Sequence, residues 1–289
     1  MPKQPVSPLQ LSPKVTYLPV VNGSGTCALA VRQWLLDHPC DCVAVGLPTS
    51  FKSSVLDAVE QLPNPSIVIQ KSSGTFSTNS WHPSFDEDAS SENSSDDAPT
   101  WSYVPIDPCQ PTIMALRVAL GEHWHIEFCD LETTSYEPLA AVMPDAYALQ
   151  TVSLERFAAA MLPSIVRPYQ EQVKQRLQHM AIRLHELEKR FDNILFVNSI
   201  LEWPWLHEAY HETVDDVPEH DDVEEPETYA VNPNSLIFLF GELPFITGLY
   251  ERARVELDDD RNLAIDGVKQ LLMSARSSYK QDMAGGREK

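Results

Sequence analysis

Basic side chains are in short supply: 21 Lys and Arg stand against 42 Asp and Glu in 289 residues. Without a basic face to read phosphates, nucleic acid is not an expected partner. No apolar run approaches the ~18 residues of a membrane span, so no membrane partner is expected. The opening MPKQPVSPLQLSPK has neither the apolar core nor the cleavage site of a secretory signal. The cysteines are five, Cys27, Cys40, Cys42, Cys109 and Cys129, and they include no CxxC redox pair. An odd number of thiols without a secretory signal points to a reduced, cytoplasmic protein. Internal repeats, the GxGxxG and Walker phosphate loops and the GxSxG nucleophile elbow are also missing.

The acid that is present is concentrated. Asp86 to Asp97 holds six acidic residues and His207 to Thr228 holds ten, with no Lys or Arg in either. Outside those two stretches 26 acids face 21 bases, a balance ordinary for a soluble domain. The acidity therefore belongs to two segments rather than to the whole surface.

Residues 1–14, rich in Pro and polar side chains, read as an extended arm. Val15 to Val21 is strand-like, and Pro19 within it argues for an edge or an end. Helical periodicity follows at Thr26–Asp37, a short apolar strand at Cys42–Leu47, a helix at Lys52–Leu62 and a strand at Ser66–Gln70. Strands alternating with helices are the mark of an α/β protein. Residues 72–100, with few large apolar side chains, read as an acidic disordered insertion. A helix at Pro111–Gly121 and a strand at Trp124–Leu131 come next. A long helical region at Leu154–Arg190 is expected to break at Pro163 and Pro168. Its second part carries Val173, Leu177, Met180, Leu184 and Leu187 on one stripe.

Phe191 to Glu212 is the stretch on which a site would be organised. It reads as a buried strand at Ile194–Val197, a sharp turn, and an amphipathic helix from about Pro204. The acidic loop 212–228 separates the α/β domain, 15–211, from a helical extension, 229–289. Within that extension, Asn232–Arg254 and Ala264–Tyr279 are expected to be helices. Leu236–Leu249 is apolar over nearly its full circumference, which suits either a buried helix or an apolar patch for a partner. The expected fold is a three-layer α/β architecture with a mostly parallel central sheet, flanking helices and this C-terminal helical extension.

Several constellations could carry chemistry. His207-Glu208-Ala209-Tyr210-His211 matches HExxH, in which histidines at i and i+4 share a zinc ion. A third ligand would come from Glu224, Glu225 or Glu227. The plainer alternative is an exposed helix end. His123, His125, Glu127 and Cys129 fall on one strand face, and His125 is a further candidate metal ligand. Asn22-Gly-Ser-Gly25 before a helix could cradle an anion, or be a simple strand–helix turn. Glu202, between Leu201 and Trp203, is a carboxylate in apolar surroundings, where a raised pKa suits acid–base work.

Three places in this order of segments resemble the superfamily of TraB-type proteins, haem-binding ChaN-like proteins and erythromycin esterases, nearest to its large uncharacterised bacterial members. They are Tyr17–Leu36 with VAVGLP (Val43–Pro48), PIDPCQPTIMALRVALGEHWHIEFCDLE (Pro105–Glu132), and QHMAIRLHELEKRFDNILFVNSILEWPWL (Gln178–Leu206). The resemblance implies a three-layer α/β fold with its site at one end of the sheet. It also implies a His in the loop after the first strand, a Glu ending the second, and GxxH in a late turn. Here the first loop is VVNGSGTC, Gly46 stands where the Glu would be, and the late turn is Ser199-Ile-Leu-Glu202. Glu202 thus replaces the His, and His179 and Asp130 remain as polar residues near that end, with Arg176 one turn before Met180.

Two functions are therefore expected. The first is a non-catalytic member of this superfamily that binds or scaffolds a protein partner. The second is a metal-dependent hydrolase, with zinc as the candidate divalent ion, whose site is rebuilt from Glu202, Asp130, His207, His211 and His125.

Overall fold

A computed structural model describes residues 9–71, 101–139, 141–212, 217–256 and 263–285. The chain begins with strand β1 (Val15–Val20), helix α1 (Gly25–Asp37), strand β2 (Cys42–Pro48), helix α2 (Lys52–Glu60) and strand β3 (Ser66–Lys71). It continues through β4 (Trp101–Ile106), α3 (Pro111–Gly121), β5 (His125–Asp130), α4 (Leu154–Met161), α5 (Glu171–Leu187), β6 (Ile194–Ser199) and α6 (Trp203–His211). The last elements are β7 (Glu227–Ala230), α7 (Leu236–Leu239), α8 (Pro244–Glu256) and α9 (Leu263–Gly285). The expected 72–100 insertion, and the arm over residues 1–8, lie outside the described residues.

Four strands form an all-parallel sheet in the order β1-β6-β2-β5. Its central strands are apolar on both faces, as a parallel sheet covered on both sides requires. Ile194 and Phe196 of β6, with Cys42 and Ala44 of β2, point into one core with α5 and α6. Leu195 and Val197, with Val43 and Val45, point into the other with α1, α2 and α3. The result is the expected three-layer α/β fold with a C-terminal helix. β1 is an edge strand, where Pro19 is tolerated because no further neighbour needs its N–H. The start of the chain is not a free arm throughout. Leu9 and Leu11 are buried, and Leu9 accepts a hydrogen bond from the Tyr17 N–H.

Three elements depart from the expected order. β3 does not join the parallel sheet; it is the middle of a second, antiparallel sheet, β4-β3-β7. β7 begins at the end of the acidic loop and runs into the expected helical extension, pairing Tyr229 with Ile67. The single helix expected at Asn232–Arg254 is a 3-10 turn, a short α7 and a separate α8, interrupted around Gly241. A Cβ built on Gly241 would lie 2.1 Å from the Gly23 Cα, so two backbones cross where only glycine fits.

Candidate functional site

The connections place the site. After β1 and β2 the chain leaves toward α1 and α2 on one face and after β6 toward α6 on the other, while after β5 it passes a 3-10 turn (Ala146–Gln150) against α1 before reaching α5 on the α6 side. β6 therefore parts company with both of its neighbours, β1 and β2, and such switch points open crevices outside the carboxyl ends of the strands. Asp130 is the last residue of β5, Asn198 lies near the end of β6, and Glu202 follows in the turn into α6.

The space is filled by Arg176, which α5 sends down from its apolar stripe. Its Nε lies 3.0 Å from both Asp130 oxygens, and an Nη2–H also donates to Asp130 Oδ2. Nη1 is 3.2 Å from Glu202 Oε1, an ion-pair contact without hydrogen-bond alignment. Asn198 Nδ2 donates to the other Glu202 oxygen at 2.6 Å, and Leu131 N–H donates to Asp130 at 2.8 Å. The Tyr136 ring covers the guanidinium at 4.5 Å. Tyr17 from β1 closes the floor, donating its hydroxyl to the Ser199 carbonyl at 2.6 Å. Arg176, Asp130 and Glu202 are 1%, 2% and 3% exposed.

Two carboxylates around one guanidinium leave the cluster one negative charge in excess. Burial by itself would discharge Arg176, but Asp130 and then Glu202 outweigh it and hold the guanidinium above its ordinary range. Burial raises the Glu202 pKa, against the pull of Arg176 and with the push of Asp130. Tyr17 is pushed well up by burial and then by the Glu202 charge. Gly46 completes the arrangement: a Cβ there would lie 2.4 Å from Asn198 Oδ1, so Asn198 occupies the room that a longer side chain at 46 would need.

The other candidate residues lie around or away from this cluster. His179, one turn after Arg176, is buried with its Nδ1 unpartnered, its ring edge-on to His220 at 4.6 Å. Burial and then His220 lower its pKa to about 4, so it is neutral at pH 7. His220 belongs to the acidic loop, which is fastened across the end of β5. Glu132 N–H donates to His220 Nδ1, Asp221 N–H to the Glu132 carbonyl, and Thr134 N–H to Asp221. Further along, Gln70 donates to the Glu224 carbonyl and Ser54 to the Pro226 carbonyl.

His207 and His211 do share one side of α6, their rings 4.7 Å apart. The proposed third ligand does not approach, since Glu224 and Glu225 line an open groove with Ser50, Lys52 and Leu56, and Glu227 opens β7. His125 begins β5, whose far end carries Asp130, and is spent on a 2.7 Å hydrogen bond to Glu127. Lys52 and Arg190 also approach Glu127. Among the described residues no three His, Cys, Asp or Glu side chains converge as a metal site. The Asn22–Gly25 turn is a strand–helix turn. Ser24 caps α1 by accepting from Cys27 N–H, and the Gly25 N–H donates to the Glu242 carboxylate at 3.0 Å.

Asp130, Glu202 and His179 thus gather at one end of the sheet, and the three candidate metal ligands do not join them. Arg176, which the sequence places beside these residues without giving it a role, ties Asp130 to Glu202, and Asn198, Tyr17 and Tyr136 complete the site without having been singled out for it. A cation on an otherwise apolar helix stripe was the available signal for Arg176. Comparison with known proteins finds no family model, curated protein or solved structure that matches the chain.

Proposed function

We propose that this chain is a non-catalytic member of the TraB/ChaN/erythromycin-esterase-like superfamily that serves as a binding or scaffolding domain. The observation that carries this reading is Arg176 held between Asp130 and Glu202 at near-zero exposure. Within this cluster each charged group faces another away from solvent, and none of the three is presented to a substrate. Asn198 over Gly46 points the same way, because a carboxylate at position 46 would find its place taken. A cytoplasmic setting agrees with five free, buried cysteines. A protein partner agrees with the apolar surface of the C-terminal helices, where Ile237 and Phe238 are 58% and 85% exposed.

The test is turnover and metal content of protein purified without a histidine tag. The expected outcome is no hydrolysis of p-nitrophenyl esters, p-nitrophenyl phosphate or casein, with or without added zinc or manganese. Turnover abolished by Glu202→Gln, or near-stoichiometric zinc lost in His207→Ala, would replace this reading with the hydrolase. The His207–His211 pair is the one observation favouring that alternative.

A further inference from the structure

Only two of the chain's serines and threonines are followed by proline, Ser7 and Ser12, in the run Ser7-Pro-Leu-Gln-Leu-Ser-Pro13. Ser7 lies outside the described residues. Ser12 is half-buried, and Pro13 beside it is exposed. The segment before Ser12 is a clip on the outer edge of β1, to which it runs antiparallel. Leu9 and Leu11 are 1% and 4% exposed. The Leu9 carbonyl accepts from Tyr17 N–H at 2.7 Å, Gln10 bridges Thr16, and Leu11 N–H donates to the Val15 carbonyl at 2.9 Å. The Ser12 side chain closes the turn from this clip into β1. Its Oγ accepts from the N–H groups of Lys14 and Val15, each at 3.1 Å, and donates to Glu188 Oε1 just past the end of α5.

The surroundings decide what a phosphate on Ser12 would do. Burial alone would raise the Glu188 pKa, but the hydrogen bonds it receives, first from Ser12, hold it below the ordinary carboxyl value, so it is ionised at pH 7. Ser12 donates to this carboxylate only as a free hydroxyl. An ester oxygen has no proton to give, and a phosphate would set about two further negative charges against the same group. The neighbouring basic side chains are already engaged. Lys14 pairs with Asp192 at 2.6 Å, and His185 Nδ1 approaches the other Glu188 oxygen at 3.4 Å. The proline selects the enzyme. It has no N–H and fixes its own φ, so it suits a kinase cleft that offers no acceptor after the serine.

We propose that Ser12 is a phosphorylation site for a proline-directed serine kinase, and that its phosphate releases the 9–11 clip from β1. In the transfer the Ser12 oxygen bonds the γ-phosphorus of ATP and the bond from that phosphorus to the β–γ bridging oxygen breaks. ADP departs, and the hydroxyl proton passes to the kinase's catalytic base. The segment must lift to enter an extended cleft, so the transfer draws on local opening of the clip, and the charge it leaves then opposes reclosure. Release bares Leu9, Leu11 and the Tyr17 N–H on the outer edge of β1. The proposal is independent of the binding-domain reading.

The full chain incubated with magnesium ATP and a recombinant cyclin-dependent kinase tests it, with sites located by mass spectrometry and the clip followed by amide hydrogen exchange. Ser12 should approach one phosphate per chain, in the wild type and in Ser7→Ala alike. Pro13→Ala keeps the hydroxyl and its contacts and should stay unlabelled. Glu188→Gln weakens the acceptor that holds Ser12 and should speed labelling about 3-fold. After phosphorylation the Tyr17 amide should exchange at least ~10-fold faster, with the Phe196 amide of β6 unchanged. The proposal is overturned if Ser12 of the native chain stays unlabelled under conditions that label a standard Ser-Pro peptide, or if Glu188→Gln is labelled no faster. Unchanged Tyr17 exchange would overturn it too, and so would acceleration at Phe196, which would mean unfolding rather than release of a clip.

Discussion

Arg176 occupies a position that the pattern of α5 reserves for an apolar residue, between Val173 and Leu177 on the buried side. A long cation there is tolerable only because Asp130 and Glu202 meet it inside the protein. Breaking such a buried group from one side leaves uncompensated charge, at a cost of about 3–5 kcal/mol. Arg176→Met should therefore lower the urea midpoint severely, since it leaves two carboxylates facing each other. Glu202→Gln should behave in the opposite way. It keeps an acceptor for Asn198 and leaves Arg176 and Asp130 as a neutral pair, so its stability at pH 7 should lie within about 1 kcal/mol of the wild type or above it. The pH dependence has a sign. Because burial raises the Glu202 pKa, its favourable contribution is complete below the unfolded carboxyl value and is lost as pH rises through the folded one. The variant should gain on the wild type as pH rises above the ordinary carboxyl range. A variant that instead loses ground over that rise would show that Glu202 is held ionised by Arg176. Of these residues, Glu202, Asp130 and His179 could be singled out from their apolar neighbours or their place at a strand end. Asn198, Tyr17 and Tyr136 could not, because their roles come from contacts across the sheet.

Single elements were legible where their signals are local. Pro111 and Gly121 bracket α3, and Pro163 and Pro168 separate α4 from α5. β3 shows where this fails. Ser66–Lys71 has the composition of a strand in either sheet, and its partners arrive from Trp101–Ile106 and from Glu227–Ala230. Nothing within the strand says which sheet it enters. The break between α7 and α8 was hidden for a similar reason, because Gly241 is required by a contact with Gly23 more than two hundred residues away. Three hydrogen bonds secure this crossing: Gly23 N–H to Gln110 Oε1, Gly25 N–H to Glu242, and Gly241 N–H to Asp107. Gly241→Ala should therefore force the two backbones apart at a cost of about 1–3 kcal/mol. Limited proteolysis should show faster cleavage between Asn232 and Pro244, with the α/β core left resistant. Unchanged cleavage would mean that the crossing relaxes without loss.

For the molecule as a whole, all five cysteines are buried in the structure and none is in a disulfide. Burial pushes Cys27, Cys40 and Cys42 up to about 12 and raises Cys109 and Cys129 as well. Such thiols are poor nucleophiles. A disulfide reagent at pH 8 should label no cysteine of the native protein within minutes and all five in denaturant. One fast native thiol would reveal local opening around it. Another property of the whole molecule follows from the strand order. β6, which begins at Ile194, sits between β1 and β2, and both hydrogen-bond to it rather than to each other. While the chain is being made, its first two strands have no neighbour to bridge them until almost two hundred residues have left the ribosome. The amino-terminal half must wait in the cell with two apolar strand edges open, and is then closed by the arrival of one six-residue strand. A long exposure of this kind is where a nascent chain aggregates or recruits a chaperone.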